Sequence, residues 1–159
     1  MKIFKAFALT ALTLVIVGAP AGGAAAKQVK LFFIILDDNG RSGKKIGCGD
    51  SIVPVVVDTA PTSAPLRRAY ETLLAIRDDP YGTRKLSNPL SRSNLKVDSV
   101  VIKKRVAIIK LTGELISAGH CEDPRVEAQL TEVALQFPSI RKVSVFVNGV
   151  ALSKLLSGQ

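Results

Sequence analysis

The chain has no tryptophan, one histidine, one methionine and two cysteines, and only 5% of it is aromatic. Proteins that track single strands of nucleic acid stack bases on aromatic side chains, so this poverty excludes that class. Charge points the same way. The net charge is +9, but no run reaches the block of like charges that makes a binding tail. The cations come in twos and threes: Arg41, Lys44 and Lys45; Arg67 and Arg68; Lys103, Lys104 and Arg105; Arg141 and Lys142. One histidine and two cysteines without CxxC or HxxH spacing do not make a zinc centre. Asp37-Asp38-Asn39 offers oxygen donors without calcium-loop spacing and reads as a solvated turn. Gly47-Cys48-Gly49-Asp50-Ser51 lacks the Gly-Lys-Ser/Thr of a phosphate loop. Neither a metal nor a cofactor is expected.

A long apolar run is missing too. Ala6 to Gly18 is uncharged and apolar over 13 residues, short of the roughly 20 that span a bilayer. Lys2 and Lys5 precede it, helix-breaking Pro20, Gly22 and Gly23 follow, and Ala24-Ala25-Ala26 supplies small residues. This is the order of a secretory signal, with cleavage expected after Ala26. Residues 1–26 are therefore read as a signal peptide and 27–159 as one exported domain, periplasmic or secreted, without stable membrane insertion after cleavage. Removing the signal takes two lysines and no acid, so the domain stays basic. An anionic wall component or an envelope protein is the expected partner.

Two cysteines in an oxidising compartment usually pair, so a Cys48–Cys121 disulfide is expected. Closing so long a loop is worth about 4 kcal/mol in the chain-entropy model.

Periodicity then gives the elements. Val29 to Leu36 is apolar on both faces, as a buried strand is. Ser51 to Asp58 is a second strand, in which Pro54 marks an edge or a bulge. Leu66, Tyr70, Leu73 and Ile76 fall at helical spacing behind a Ser63 cap. Tyr81 to Asn94 reads as a polar, mobile loop. Val97 to Ile102 and Val106 to Leu111 make a hairpin whose turn lacks the usual glycine. Asp123 suits the cap of a second helix with Pro124 at its first position, and Val126, Leu130, Val133 and Phe137 form its apolar stripe. Val143, Val145 and Val147 alternate as a half-buried strand, and Asn148-Gly149 turns the chain. The order β-β-α-β-β-α-β predicts an α+β two-layer sandwich, with two amphipathic helices on a mixed sheet of about five strands.

The chemistry-bearing residues cluster in two motifs around the cysteines. Asp50 and Ser51 are placed to bond nearby amides. His120 beside Cys121 invites a thiolate–imidazole catalyst, but neighbouring side chains point apart and Cys48 waits as a partner. Arg125 and Gln129 are one helical turn apart, and serve either as a polar ligand contact or as cover for a loop. Asp50 with Glu122 or Asp123 offers an acid pair of the kind glycoside hydrolysis needs, though two acids near two motifs are common and the sequence does not fix their separation.

These motifs carry a resemblance. Cys48-Gly49-Asp50-Ser51-Ile52-Val53-Pro54-Val55, Thr62-Ser63-Ala64-Pro65-Leu66, Leu73-Leu74 and Val106 to Leu111 occur in order. Gly119-His120-Cys121-Glu122-Asp123-Pro124-Arg125, Ala128-Gln129-Leu130, Gln136-Phe137-Pro138 and Val143 to Gly149 follow. Together they resemble the GerMN domain of spore germination and sporulation proteins, with Cys121 to Gly149 the most specific part. The resemblance implies a non-enzymatic extracytoplasmic module that works through protein contacts at the envelope. It transfers no catalytic residue. Members often carry a lipoprotein cysteine, an anchor or a second copy, and this chain is read as a single copy without them. A small hydrolase or glycan-binding protein acting on cell-wall polysaccharide is the alternative, and self-association through a sheet edge is a further expectation.

Overall fold

The apolar run after Lys27 forms a strand because both of its faces are covered. In the computed structural model, which describes residues 26–157 except 85 and 118, it lies in β1 (Ala26–Ile35). The signal-peptide expectation falls almost wholly on residues outside those described. Val29, Leu31, Phe32, Phe33 and Ile34 are all buried. β1 pairs antiparallel with β3 (Ser51–Thr62), and the two-residue β2 (Lys44–Lys45) covers β3 on its other side only at Ser51 and Ile52. Pro54 lies just beyond that cover, where β3 has one neighbour and a missing amide hydrogen does no harm.

A second sheet holds β4 (Asn94–Lys103), β5 (Val106–Glu114), β6 (Lys142–Val147) and β7 (Val150–Ala151), in that order. β5 and β6 run parallel, a pairing that needs a crossover. Helix α2 (Glu122–Leu135) supplies it. Helix α1 (Pro65–Ala75) carries the chain from the first sheet to the second. Both helices pack on β1 and on each other, α1 also on β4 and α2 also on β6, while the short α3 (Leu152–Leu156) closes against β6. Leu66, Tyr70 and Leu73 of α1 meet Val126, Leu130 and Val133 of α2 in one core with Phe33, Ile109 and Val145. The α+β class and the order of the long elements agree with the sequence reading. One feature differs: the strands form two sheets, of three and four strands, instead of one mixed sheet. The helices bury their apolar faces on both, so the core stays continuous.

Local differences have local causes. Helix α1 starts at Pro65 with Ala64 in the cap position, and Ser63 makes no cap bond. Helix α2 starts at Glu122, which puts Asp123 and Pro124 inside the first turn, where amides lack helical partners anyway. The hairpin turn is Lys104–Arg105 alone, both with positive φ, 49° and 65°. That is the left-handed geometry that favours glycine. It is held from outside, because the Arg105 carbonyl accepts the amides of Arg141 at 2.8 Å and Lys142 at 3.3 Å.

Residues 81–94 do not form a loose polar loop. Leu86, Asn88, Leu90 and Ser93 are buried, and the Tyr81 ring stacks on Phe33. Ser87 exchanges two backbone bonds with Ile34, at 2.8 and 3.0 Å. The segment therefore serves the outer edge of β1. Helix α2 serves the rest of that edge with glutamines. The Lys30 amide donates to Gln136 Oε1 at 2.9 Å, and Gln136 Nε2 donates back to the Lys30 carbonyl at 2.8 Å. Gln129 Nε2 donates to the Phe32 carbonyl at 2.7 Å. Side-chain amides thus stand in for a missing strand, and an open edge is blunted.

Gln136→Ala should lower stability in urea unfolding by about 1 kcal/mol, the net value of a typical hydrogen bond. An unchanged midpoint would mean that water serves this edge equally well.

Candidate functional site

The two cysteine motifs meet at the start of α2. The 36–50 loop bends through left-handed backbone at Asp37, Asn39, Gly40, Cys48 and Gly49. Asp, Asn and Gly tolerate such geometry, whereas the Cys48 side chain disfavours it and is held there by its bond to Cys121. The Cys48 and Cys121 sulfurs are bonded at 1.99 Å across 73 positions of sequence. Beside them Gly47 lies against Pro124, and a Cβ at Gly47 would stand 2.9 Å from that ring.

An ion pair lies under this contact. Arg125 Nε donates to Asp50 Oδ2 at 2.6 Å, and its Nη1 donates to Glu122 Oε2 at 3.2 Å. Asp50 is fully buried, and its Oδ1 accepts the Asp37 amide at 2.9 Å. Burial opposes the charge on Arg125, but the bonds and charges of Asp50 and Glu122 outweigh it and hold its pKa above the ordinary value.

A second node fixes the loop's other half. Asp38 Oδ2 accepts the Ser51 hydroxyl at 2.5 Å and the Ser42 amide at 2.6 Å. Asp38 Oδ1 takes the Ser42 hydroxyl at 2.9 Å, while Ser51 Oγ accepts the Gly40 amide at 2.8 Å. The Ser51 hydroxyl, then the Ser42 amide and hydroxyl and the Arg41 charge, hold the Asp38 carboxyl below the usual range against the opposing effect of burial. The solvated-turn reading of residues 37–39 is therefore wrong for Asp38, which is buried.

The structure brings Cys48, Asp50, Ser51, Cys121 and Arg125 together. Asp123 sits in the same helical turn and accepts the Ser117 hydroxyl. His120 is exposed. Gln129 lies one turn deeper, bonded to the Phe32 carbonyl and to Asn88 Oδ1 at 3.1 Å. Asn88 in turn donates to the carbonyls of Ile76 and Asp78. Sequence reasoning passed over Asp38, Asn88 and Gln136 as site residues. Gln136 alone had a readable signal, since it lies seven positions after Gln129 and so shares its helix face.

The chemistry available here is limited by these commitments. Both Asp50 oxygens are occupied, the Ser51 hydroxyl is donated to Asp38, and both sulfurs are in a disulfide. Neither Asp50 nor Asp123 lines any of five surface cavities. Among the described residues no three of His, Cys, Asp and Glu group as a metal site requires.

An α+β domain of this fold has known counterparts. The Germane family model, described as sporulation and spore germination, matches residues 30–153. The chain belongs to this family. It is similar in fold to the tandem GerMN domains of the sporulation protein GerM from Bacillus subtilis, with a TM-score of 0.57 and 17% identity. That match covers 87% of this chain and 44% of the tandem one, so the chain spans less than half of that protein. It is similar also to the first GerMN domain of the same protein, with a TM-score of 0.53 and 18% identity, covering 79% of this chain and 86% of that one. No curated protein gives a match.

Arg125→Ala leaves Asp50 charged and unpaired in the interior. Breaking a buried pair in this way costs about 3–5 kcal/mol, and denaturant unfolding of the oxidised protein should read a loss of that order. Loss within error of zero would show that Asp50 finds another partner.

Acid should reveal the second node. The folded pKa of Asp38 is depressed, so its contribution is complete above the ordinary carboxylate pKa of about 3.9 and is lost as pH falls through the folded value. Urea midpoints measured on acidification should fall, and Asp38→Asn should be less stable at neutral pH with a shallower fall below about pH 4. Parallel curves for the two proteins would contradict the assignment.

Proposed function

We propose that this chain is an exported, non-enzymatic module of the sporulation and germination family, which works by binding a protein partner outside the cytoplasm. Residues 1–26 direct export, and the mature domain begins at Lys27. The observation that carries this reading is the internal commitment of the polar motif residues. Asp38, Asp50, Ser51 and Arg125 bond to one another or to backbone and, with the disulfide, shape the 36–50 loop. Residues occupied in this way hold a surface in place and do not turn over a substrate. The basic surface adds attraction for acidic partners at the envelope, and wall polymer is a weaker second target for the same reason. Among the described residues no helix is long and apolar enough to cross a membrane.

Expression of the full chain in a bacterial host tests export and catalysis together. The recovered protein should start at Lys27, resist thiol alkylation until reduced and denatured, and release no reducing ends from purified cell-wall glycan above the buffer rate. Retention of the first 26 residues in a cytoplasmic, alkylatable protein would overturn the location. Release of reducing ends that Asp50→Asn abolishes would replace the binding module with a hydrolase.

A further inference from the structure

Three long edges of this molecule differ: that of β1 is met by side chains, that of β3 past Ile52 carries Pro54 and Pro61, and that of β4 has an open stretch. Along the outer edge of β1, the backbone groups of Lys30, Phe32 and Ile34 are met by Gln136, Gln129 and Ser87. β4 is the terminal strand of the other sheet, with no strand beyond it among the described residues. Near its middle two groups are covered: Arg67 Nη1 and Nη2 donate to the Asp98 and Val97 carbonyls, each at 3.1 Å. Beyond the bulge at Asp98 no side chain among the described residues bonds to the outer edge of β4.

The register fixes which groups are left. A two-residue turn makes Lys103 and Val106 a hydrogen-bonded pair. Alternation then makes Val101–Ile108 and Ser99–Lys110 bonded pairs as well. Val100 and Ile102 therefore turn their amides and carbonyls outward. Their side chains lie on the core face with Ala107 and Ile109, and continue it past the edge. Ile102 is 50% exposed. It and Val100 line a groove of about 350 Å³ with Pro65, Leu66 and Phe137.

Resting on the proposed role as a binding module, we infer that the Val100–Ile102 edge receives an extended segment of a partner protein by strand addition. The outward backbone groups supply the ladder, and the groove takes alternate apolar side chains. Charge selects the segment. Lys103, Lys104 and Arg105 follow the open stretch directly, and all three are exposed. An antiparallel strand, the more stable pairing, brings its N-terminal end opposite them, so that end is acidic. A second copy of this chain is the poorer occupant, since the net charge of +9, or +7 once Lys2 and Lys5 leave with residues 1–26, repels its like.

The test uses the oxidised protein and a labelled peptide, Glu-Glu-Asp-Val-Thr-Val-Thr-Val, with a twin bearing lysines for the three acids. Fluorescence anisotropy should show the acidic peptide binding at least roughly tenfold tighter than the twin. Amide exchange at Val100 and Ile102 should slow on binding. Ile102→Pro removes an outward amide that the sheet does not use, so its melting temperature should hold while binding is lost. Should that variant unfold, Lys103→Glu with Lys104→Glu leaves the strand intact and should reverse the preference between the peptides. Equal binding of both peptides, or unchanged binding by both variants, would overturn the inference. So would light scattering that shows a dimer which Ile102→Pro dissociates, because the edge would then belong to a second copy. A failure here is separate from failure of the non-enzymatic reading, which the glycan assay judges alone.

Discussion

The Arg125–Asp50 bond, made across the start of α2 into a buried carboxylate, is the constraint on which the rest of this structure depends. A buried ion pair is not stabilising in itself, since desolvation can cancel the attraction. Its effect here comes from what it fixes. Asp50 is held by Arg125 on one oxygen and holds the Asp37 amide with the other. The 36–50 loop is thereby set against the helix, with Cys48 opposite Cys121 and Gly47 on the Pro124 ring. The disulfide then removes freedom from the unfolded chain, by about 4 kcal/mol for a loop of this length. Ion pair and disulfide act on the same junction from different sides of the folding equilibrium.

A second habit of the chain is to use side-chain amides where a strand would otherwise be needed. Gln136 mimics a neighbouring strand for Lys30 with one donor and one acceptor. Asn148 does the same for Gly113, at 3.0 and 2.8 Å. Gly113 itself admits no side chain, because a Cβ there would stand 1.9 Å from the Asn94 carbonyl oxygen. These devices protect β1 and the end of β5; the outer edge of β3 past Ile52 is interrupted by Pro54 and Pro61, and the stretch of β4 past Asp98 has neither device. In a module that works by contact, a blocked edge and an open edge are a way of choosing where a partner sits.

Much of this was legible in the chain because it is periodic. Leu66, Tyr70 and Leu73, and Val126, Leu130 and Val133, recur at helical spacing, and those faces are the buried ones. Asn148-Gly149 named its own turn. What stayed hidden rests on single long-range bonds, which leave no period behind. Asp38 sits in a run that by composition is a surface turn, and only Ser51, thirteen positions on, makes it a buried anchor. Leu86 and Leu90 are too widely spaced among polar neighbours to mark residues 81–94 as packed, yet they carry Ser87 to the β1 edge. The division into two sheets was unreadable for a similar reason, since alternation along a strand does not say which strand it pairs with. Lys104–Arg105 hid a tight turn because its geometry is imposed by Arg141 and Lys142 from another part of the chain.

The most direct measurement is native-state hydrogen exchange at the loop amides of the oxidised protein, with Arg125 in place and then replaced as Arg125→Ala. Asp37, Asn39, Gly40 and Ser42 each donate to a partner that the α2 junction holds in place or that lies within the loop it fixes. With Arg125 in place, these amides should exchange only through opening of the whole domain. In Arg125→Ala they should exchange together and faster, while those of β5 keep more of their protection. Rapid exchange of the loop in the unaltered protein, or protection indifferent to Arg125→Ala, would contradict the view that this ion pair holds the loop.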